Sequence, residues 1–169
     1  QWREKLKHKG ISMAKSQKTE NGQINARGLS IIKTFEGWSP SVYVCPAGVP
    51  TIGYGSIWSL DGKRVTMAHP NISKAEGQTL LQRELHHIQR AIGQLVHVPL
   101  NANQYSALAS WTFNLGSGRL QSSTLRRKLN RGEYDGASAE FPKWRRAGGK
   151  ILKGLVIRRA EERELFDSI

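Results

Sequence analysis

The most restrictive feature of the chain is a short β-type segment at residues 41–66, which lies between segments with helical patterns. Here β-branched and aromatic residues are interrupted by turn residues, and Pro46-Ala47-Gly48 and Asp61-Gly62 are typical of tight turns. Because strands and helices are segregated along the chain, the sequence predicts an α+β fold. We expect a small three-stranded antiparallel β lobe, a larger helical lobe and a cleft between them that could take a ligand.

Helices are predicted on both sides of this segment, from apolar residues at spacings of three and four and from capping residues. The first runs from Asn25, a predicted cap, to Glu36. Ser73 and Glu76 form a capping box for the next helix. The remaining predicted helices cover Asn101–Asn114, a segment from Ser122 or Ser123 to Gly132, Tyr134–Ala147 and Leu155–Phe166.

The composition divides the chain into a basic N-terminal extension, residues 1–24, and one globular domain, residues 25–169. Within the domain we place the β lobe at about 38–70 and the helical lobe at about 73–168. The extension is densest in basic residues at Arg3–Lys18 and lacks the apolar stretch of a secretory signal. Two interpretations stay open: it concentrates the protein on anionic surfaces, or it is a disordered solubilising tail.

The chain is strongly basic, because 26 Lys and Arg residues face 13 Asp and Glu residues, for a formal net charge of +13. Such a charge attracts polyanions, and nucleic acid, anionic envelope polymers and acidic membrane surfaces all fit. No nucleic-acid-binding motif accompanies the basic residues, so nucleic acid is not a predicted partner. Cys45 is the single cysteine of these 169 residues, which excludes a disulfide within them. We predict no metal site, no cofactor and a monomer.

Glu36, Cys45 and Thr51 follow one another with eight and five residues between them. Taken singly, each residue type is ordinary at such a position. The segments that surround these three residues are more informative, because several distinctive segments follow one another in a fixed order along the chain. These segments are Phe35-Glu36-Gly37, Tyr43-Val44-Cys45-Pro46-Ala47-Gly48, Thr51-Ile52-Gly53-Tyr54-Gly55, residues 103–108, 113–116, 123–130 and 144–163. Over about residues 27–167 the chain resembles the phage lysozymes of glycoside hydrolase family 24.

The resemblance implies a lysozyme-like fold and a bacteriophage endolysin. Such a muramidase hydrolyses the β-1,4 bond between N-acetylmuramic acid and N-acetylglucosamine in peptidoglycan and lyses the host cell. It also implies that Glu36 is the general acid and that Thr51 positions water. Cys45 stands where the family commonly has Asp, and some related membrane-tethered endolysins also carry Cys there. Glycosidic cleavage needs an acid that keeps its proton near neutral pH, and apolar neighbours of Glu36 would favour that form.

Four further residues are predicted to contact the glycan. Asn114 corresponds to a polar cleft residue of the family, and Tyr54 lies beside the catalytic segment. Gln104 either reaches the cleft or completes a capping box with Asn101, and the cap is favoured. Arg158, or its neighbour Arg159, either braces Glu36 or touches the glycan.

Several alternatives remain open at this stage. The chain could be a lytic transglycosylase, which needs Glu36 and no activated water, or a non-catalytic cationic binder of the cell wall. A thiol at position 45 also makes a covalent, retaining route conceivable beside the family's usual inversion. The resemblance implies synthesis in the host cytoplasm and action on the periplasmic wall. It leaves open whether a holin or an upstream anchor provides the route across the membrane.

Overall fold

The computed structural model describes residues 22–169, so residues 1–21, most of the predicted N-terminal extension, lie outside the described residues. Seven α-helices and four short strands make up the described part, and this architecture confirms the predicted α+β class. In chain order they are α1 (Ala26–Glu36), β1 (Ser39–Val44), β2 (Pro50–Gly53), α2 (Lys74–Leu95), α3 (Ala102–Leu115), α4 (Ser117–Ser122), α5 (Thr124–Asn130), α6 (Tyr134–Ser138), β3 (Arg146–Ala147), β4 (Lys150–Ile151) and α7 (Lys153–Asp167).

Helix α1 begins and ends as its sequence predicts. The Asn25 side chain caps it by accepting a hydrogen bond from the Gly28 amide, 3.0 Å away. Gly37, with a φ of +72°, ends the helix, and its amide donates to the Lys33 carbonyl. The Asn25 amide also donates to the Ser106 hydroxyl of α3 at 2.9 Å. These contacts fix the direction of α1 and therefore the position of Glu36, its last residue.

The β lobe is smaller than the predicted three-stranded meander. Strands β1 and β2 pair antiparallel, with Tyr43 opposite Thr51, and beyond them the lobe has two isolated antiparallel bridges, Ile52–Ser56 and Trp58–Arg64. The turn at Asp61-Gly62 does form, and Gly62 has a φ of +80°. However, the Asp61 carboxylate accepts a hydrogen bond from the Lys63 amide, a donor that a longer ladder would use, while the Lys63 carbonyl still accepts from the Ser59 amide. The expected third strand is therefore reduced to these bridges.

Helix α3 forms the centre of the helical lobe. Its residues 105–112 are all buried, and it packs against α7, α1 and α2. The predicted capping boxes are present at both long helices, with Ser73 and Glu76 at α2 and Asn101 and Gln104 at α3. None of the helices within residues 22–169 is long and apolar enough to cross a bilayer.

The predicted helix at Tyr134–Ala147 is divided in the structure. Helix α6 ends at Ser138, a 3₁₀ turn follows at Phe141–Lys143, and β3 and β4 then form a hairpin. Pro142 cannot donate a backbone hydrogen bond, which prevents a continuous helix. Gly148 and Gly149 both have positive φ, at +55° and +76°, and make the tight turn of the hairpin. Helix α4 was not predicted from the sequence.

Candidate active site

Glu36 lies at the end of α1 and is held from one side by an ion pair. Its Oε1 accepts a hydrogen bond from Nη1 of Arg158, on α7, at 2.8 Å. The Glu36 side chain is 22% exposed, whereas that of Arg158 is 3% exposed. Of the two roles predicted for this arginine, the structure places it behind Glu36.

Because Gly55 has no side chain, the carboxyl group of Glu36 can lie directly against it. A Cβ atom at Gly55 would lie 3.1 Å from Oε2 of Glu36, and Gly55 has a φ of +88°. A larger residue would meet both a contact with the carboxylate and a strained backbone. Gly55 therefore brings the chain after β2 against Glu36.

A buried network supports Arg158 from behind. Its Nε lies 3.2 Å from Oε1 of Glu162, and the Ser110 hydroxyl donates to the same carboxylate oxygen at 2.7 Å. Arg159 pairs with the other oxygen of Glu162 at 2.8 Å, and both of these side chains are fully buried. Arg158 and Arg159 share the single buried carboxylate of Glu162, so this carboxylate does not balance both positive charges. The guanidinium of Arg158 therefore also attracts the Glu36 carboxylate. A restrained guanidinium of this kind fixes the orientation of the carboxylate that it contacts.

Cys45 and Thr51 lie together across the hairpin between β1 and β2. Backbone hydrogen bonds from Val49 and Ala47 hold the pKa of the Cys45 thiol below its ordinary value, and the Thr51 side chain contributes a further hydrogen bond. The Thr51 hydroxyl also donates to the Val49 carbonyl at 2.9 Å. A lowered pKa increases the thiolate fraction, so the turn favours the charged form of this sulfur.

Tyr43 connects this pair electrostatically to Glu36. Burial raises the pKa of the Tyr43 hydroxyl, and the negative charges of Glu36 and Cys45 raise it further. Sequence reasoning placed Tyr43 in a strand without a role, although it lies only two residues before Cys45. In the structure Tyr43 is opposite Thr51 across β1 and β2.

A cleft of about 720 Å³ opens between the two lobes beside Glu36. Asn114 lines it from the end of α3, and Nη2 of Arg159 donates to Oδ1 of Asn114 at 3.0 Å. This hydrogen bond fixes the amide, so that its NH₂ group remains to contact a ligand. Trp58, Phe113 and Glu84 also line the cleft, and sequence reasoning missed all three.

Glu84 is the most unusual of the missed residues. It projects from α2 into the same cleft as Glu36, and within residues 22–169 it forms no ion pair. Burial raises the pKa of Glu84 to about 7; a hydrogen bond with Ser56 works against this rise, and the charge of Glu36 adds to it. Its spacing of four residues from Leu80 and from Ile88, which line the same cleft, was the signal that could have found it.

Two of the predicted glycan contacts lie elsewhere. Tyr54 is 8% exposed and packs against Trp38 with ring centroids 5.0 Å apart, so it belongs to the core rather than to the cleft surface. The Gln104 side chain accepts a hydrogen bond from the Asn101 amide at 2.9 Å, which is the capping role. Gln104 is not among the residues that line the cleft. The Tyr54 side chain is therefore committed to packing, and Gln104 takes the capping role that the sequence favoured for it.

The described residues offer no alternative centre based on a metal. Within residues 22–169, no group of three or more His, Cys, Asp or Glu side chains is placed to hold a metal ion. The residues that line the cleft supply two carboxyl groups, of Glu36 and Glu84, and the Asn114 amide, whereas Cys45 and Thr51 are not among the lining residues.

Known proteins resemble this chain in sequence and in fold. Residues 33–162 match the family described as phage lysozyme. The endolysin of Acyrthosiphon pisum secondary endosymbiont phage 1 is 39% identical over 149 residues, which cover 86% of this chain and 98% of that protein. The endolysin of Salmonella phage P22 is 39% identical over 144 residues, covering 85% and 97%.

The solved structure of an endolysin from Escherichia coli O157:H7 phage FAHEc1 superposes with a TM-score of 0.79 at 34% identity. It covers 87% of this chain and 95% of that one. The family match extends over most of the described residues and includes Glu36, Cys45, Thr51 and Arg158. The chain therefore belongs to the phage lysozyme family and is a lysozyme-type glycosidase.

Proposed function

We propose that this chain is a phage endolysin of the muramidase type, which hydrolyses the β-1,4 bond between N-acetylmuramic acid and N-acetylglucosamine in peptidoglycan. The observation that carries the proposal is the pairing of Glu36 with Arg158 at the wall of an interlobe cleft, beside which the β lobe holds Cys45 and Thr51 together. This arrangement supplies an acid on one side and a group that can place water on the other, as glycosidic hydrolysis requires.

Glu36 acts as the general acid in this proposal. Arg158 holds Oε1, which leaves Oε2 to carry the proton and deliver it to the leaving glycosidic oxygen. As the bond to that oxygen breaks, positive charge develops at the anomeric carbon. The resulting Glu36 carboxylate is then stabilised by the guanidinium that already faces it.

Thr51 and Cys45 act on the nucleophilic water. The Thr51 hydroxyl orients a water molecule towards the anomeric carbon, and the Cys45 thiolate accepts its proton or stabilises the developing positive charge. The backbone hydrogen bonds from Val49 and Ala47 assist by lowering the pKa of the thiol. We place the chain in the subgroup of glycoside hydrolase family 24 in which Cys replaces Asp, and expect inversion at the anomeric carbon. A covalent sulfur–sugar intermediate is the competing route, and it would give retention.

Asn114 binds the sugar in this proposal. Because Arg159 holds the carbonyl end of the amide, the NH₂ group is presented as a donor for an N-acetyl carbonyl of the glycan. Action at the bacterial cell wall follows from the endolysin class. The chain is proposed to work there as a monomer, with its positive charge attracting anionic envelope polymers.

The decisive experiment is the Glu36→Gln variant, which keeps the size of the side chain and the contact with Arg158 but removes the acidic proton. We expect its hydrolysis of purified peptidoglycan to fall by at least about a hundredfold. Glu161→Gln, at an exposed position of α7, is the matched control and should remain active. Undiminished wall lysis by Glu36→Gln would mean that no glycosidase chemistry at this residue underlies the effect.

Product analysis separates hydrolysis from transglycosylation, the alternative that needs the acid alone. Mass spectrometry of digested peptidoglycan distinguishes reducing ends from 1,6-anhydro ends, because the two differ by one water. The presence of a polarised thiol next to Thr51 favours hydrolysis. A digest that contains only anhydro ends would replace the muramidase proposal by a transglycosylase.

A further inference from the structure

Trp58 stands out among the tryptophans of the described part of the chain. Its side chain is 45% exposed, whereas Trp111 is fully buried and Trp38 and Trp144 are partly buried against the core. An exposed indole offers a large, flat apolar surface to a partner. Trp58 lines the same cleft as Glu36 and Asn114, so that partner would be a ligand of the cleft.

The backbone of Trp58 is held in place by its neighbours. The Ser56 hydroxyl accepts a hydrogen bond from the Trp58 amide at 3.2 Å and donates to the Trp58 carbonyl at 2.9 Å. Trp58 also pairs with Arg64 through an antiparallel bridge. A side chain that is ordered before binding loses little conformational entropy when a ligand arrives.

Arg64, the residue that pairs with Trp58 in this bridge, also contacts the indole ring. The guanidinium carbon of Arg64 lies 5.0 Å from the centroid of the Trp58 ring, which is a cation–π contact. The Trp58 ring is therefore braced by Arg64, and much of its remaining surface is open. The C–H groups on one face of a pyranose ring are apolar and carry partial positive charge, so they fit the negative face of an indole.

We propose that Trp58, braced by Arg64, forms a sugar-binding subsite of the cleft and stacks against a pyranose ring of the peptidoglycan glycan strand. This inference rests on the proposed muramidase function, since the glycan is the ligand that function supplies. The subsite gains its specificity from the combination of one flat apolar surface with the fixed Asn114 amide in the same cleft. The stack positions the strand so that a glycosidic oxygen meets Glu36.

The test compares Trp58→Ala with Trp58→Phe in the full chain, on purified peptidoglycan stripped of charged polymers. Loss of the ring should raise KM about tenfold and change kcat much less, since tenfold corresponds to the loss of one well-packed aromatic contact. Trp58→Phe retains a flat aromatic ring, so its KM should be much closer to that of the original protein than the KM of Trp58→Ala. Arg64→Gln removes the brace and should give an intermediate KM.

Two controls separate binding from folding. Met67→Ala removes another exposed apolar side chain, 58% exposed, that does not line the cleft, and its KM should equal that of the original protein. Thermal unfolding of every variant should show the Trp58 variants as stable as the Met67 variant. If Trp58→Ala keeps the original KM, or if Trp58→Phe is as impaired as Trp58→Ala while both are folded, the stacking proposal is overturned.

Sedimentation with peptidoglycan in the Glu36→Gln background distinguishes failure of this proposal from failure of the proposed function. In that background hydrolysis is expected to be at least about a hundredfold slower, and Trp58→Ala should need about ten times more peptidoglycan to sediment half of the protein. If the unmodified chain binds peptidoglycan through Trp58 yet yields no cleaved product, the subsite stands and the muramidase proposal fails. Equal sedimentation of both proteins overturns the subsite, whatever the activity.

Discussion

Arg158 positions the Glu36 carboxyl group through a direct ion pair. Arg158 contacts Glu36, Glu162 and Ser110 at once and is almost fully buried. Its guanidinium has a planar fork of donors that can meet several acceptors in different directions. A lysine would carry the same charge but would present it as a point at the end of a flexible chain.

We therefore expect Arg158→Lys to lower both activity and stability. The loss of charge-assisted hydrogen bonds in a buried site should cost about 1–3 kcal/mol in the free energy of unfolding. Urea denaturation and the kcat on purified peptidoglycan measure the two effects. Arg163→Lys, at a half-exposed position of the same helix, is the control and should stay close to the original protein. Equal stability of both variants would contradict the positioning role of Arg158.

Cys45 allows a second test at the scale of one residue. Asp at this position restores the carboxylate that the family commonly has, Ser keeps only a weak hydroxyl, and Ala removes the group. If Cys45 assists the water, Cys45→Asp should stay active, whereas Cys45→Ala should lose at least about a hundredfold in kcat. The stereochemistry of the product, followed by nuclear magnetic resonance, should show inversion for both Cys and Asp. Full activity of Cys45→Ala would exclude a role for the sulfur.

The raised pKa of Glu84 predicts that the stability of the folded protein depends on pH. Its pKa is about 7 in the folded protein against an ordinary value of 4.5, because burial favours the protonated form. Between these values the folded state keeps a proton that the unfolded state has lost, so stability falls as the pH rises from about 4.5 to about 7. One pKa unit corresponds to about 1.4 kcal/mol, so the loss is at most about 3 kcal/mol.

The variant Glu84→Gln should remove this part of the pH dependence. Urea unfolding at pH 4.5, 6 and 8 should show a smaller decline in the free energy of unfolding for Glu84→Gln than for the original chain. Glu164→Gln, at an exposed position of α7, serves as the control. Identical pH profiles for all three proteins would mean that Glu84 has an ordinary pKa.

At the scale of elements, helix α2 contains two glycines with opposite expected effects. A Cβ atom at Gly77 would lie 2.2 Å from the Trp38 ring, whereas a Cβ atom at Gly93 would meet nothing within 4 Å. Gly77 therefore allows α2 to approach the β lobe, while Gly93 only weakens the helix. The close approach at Gly77 fixes one wall of the cleft relative to the other.

We expect Gly77→Ala to destabilise the protein by about 1–3 kcal/mol, because the added methyl group overlaps the partly buried ring of Trp38. Gly93→Ala should stabilise it by about 0.5–1 kcal/mol, because alanine loses less backbone entropy in a helix than glycine. Thermal and urea unfolding of both variants measure the difference. The same sign for both substitutions would show that packing against Trp38 does not limit position 77.

Elements with local signals were predicted well, and elements without them were not. Helices α1, α2 and α3 begin after the predicted caps Asn25, Ser73 and Asn101 because a capping side chain bonds to amides a few residues away. The third strand of the β lobe and the helix at Tyr134–Ala147 were predicted too long. In both segments, side-chain hydrogen bonds, Pro142 or a glycine turn displaced the regular backbone pattern.

At the scale of the whole molecule, the charge of the chain and the geometry of the cleft serve different steps. The net charge of +13 acts over roughly a Debye length, about 8 Å at physiological salt, and favours encounter with anionic wall polymers. Cleavage depends on short contacts around Glu36, which are partly buried and less screened. Binding to walls that carry anionic polymers should therefore weaken several-fold with rising salt, whereas binding to stripped peptidoglycan should change less. Equal salt dependence for the two materials would contradict the separate roles of charge and cleft.

The amino-acid sequence was enough to predict the α+β class, the starts of α1, α2 and α3, the turn around Cys45, the basic character and the resemblance that pointed to Glu36, Cys45 and Thr51. All of these depend on residues that are neighbours in the chain or on a linear order of motifs. Only the tertiary structure decided that Arg158, 122 residues away, faces Glu36, that Tyr54 is buried and that Glu84 shares the cleft. The reason is physical: capping and periodicity are local, whereas burial and ion pairing depend on which distant surfaces the packed helices bring into contact.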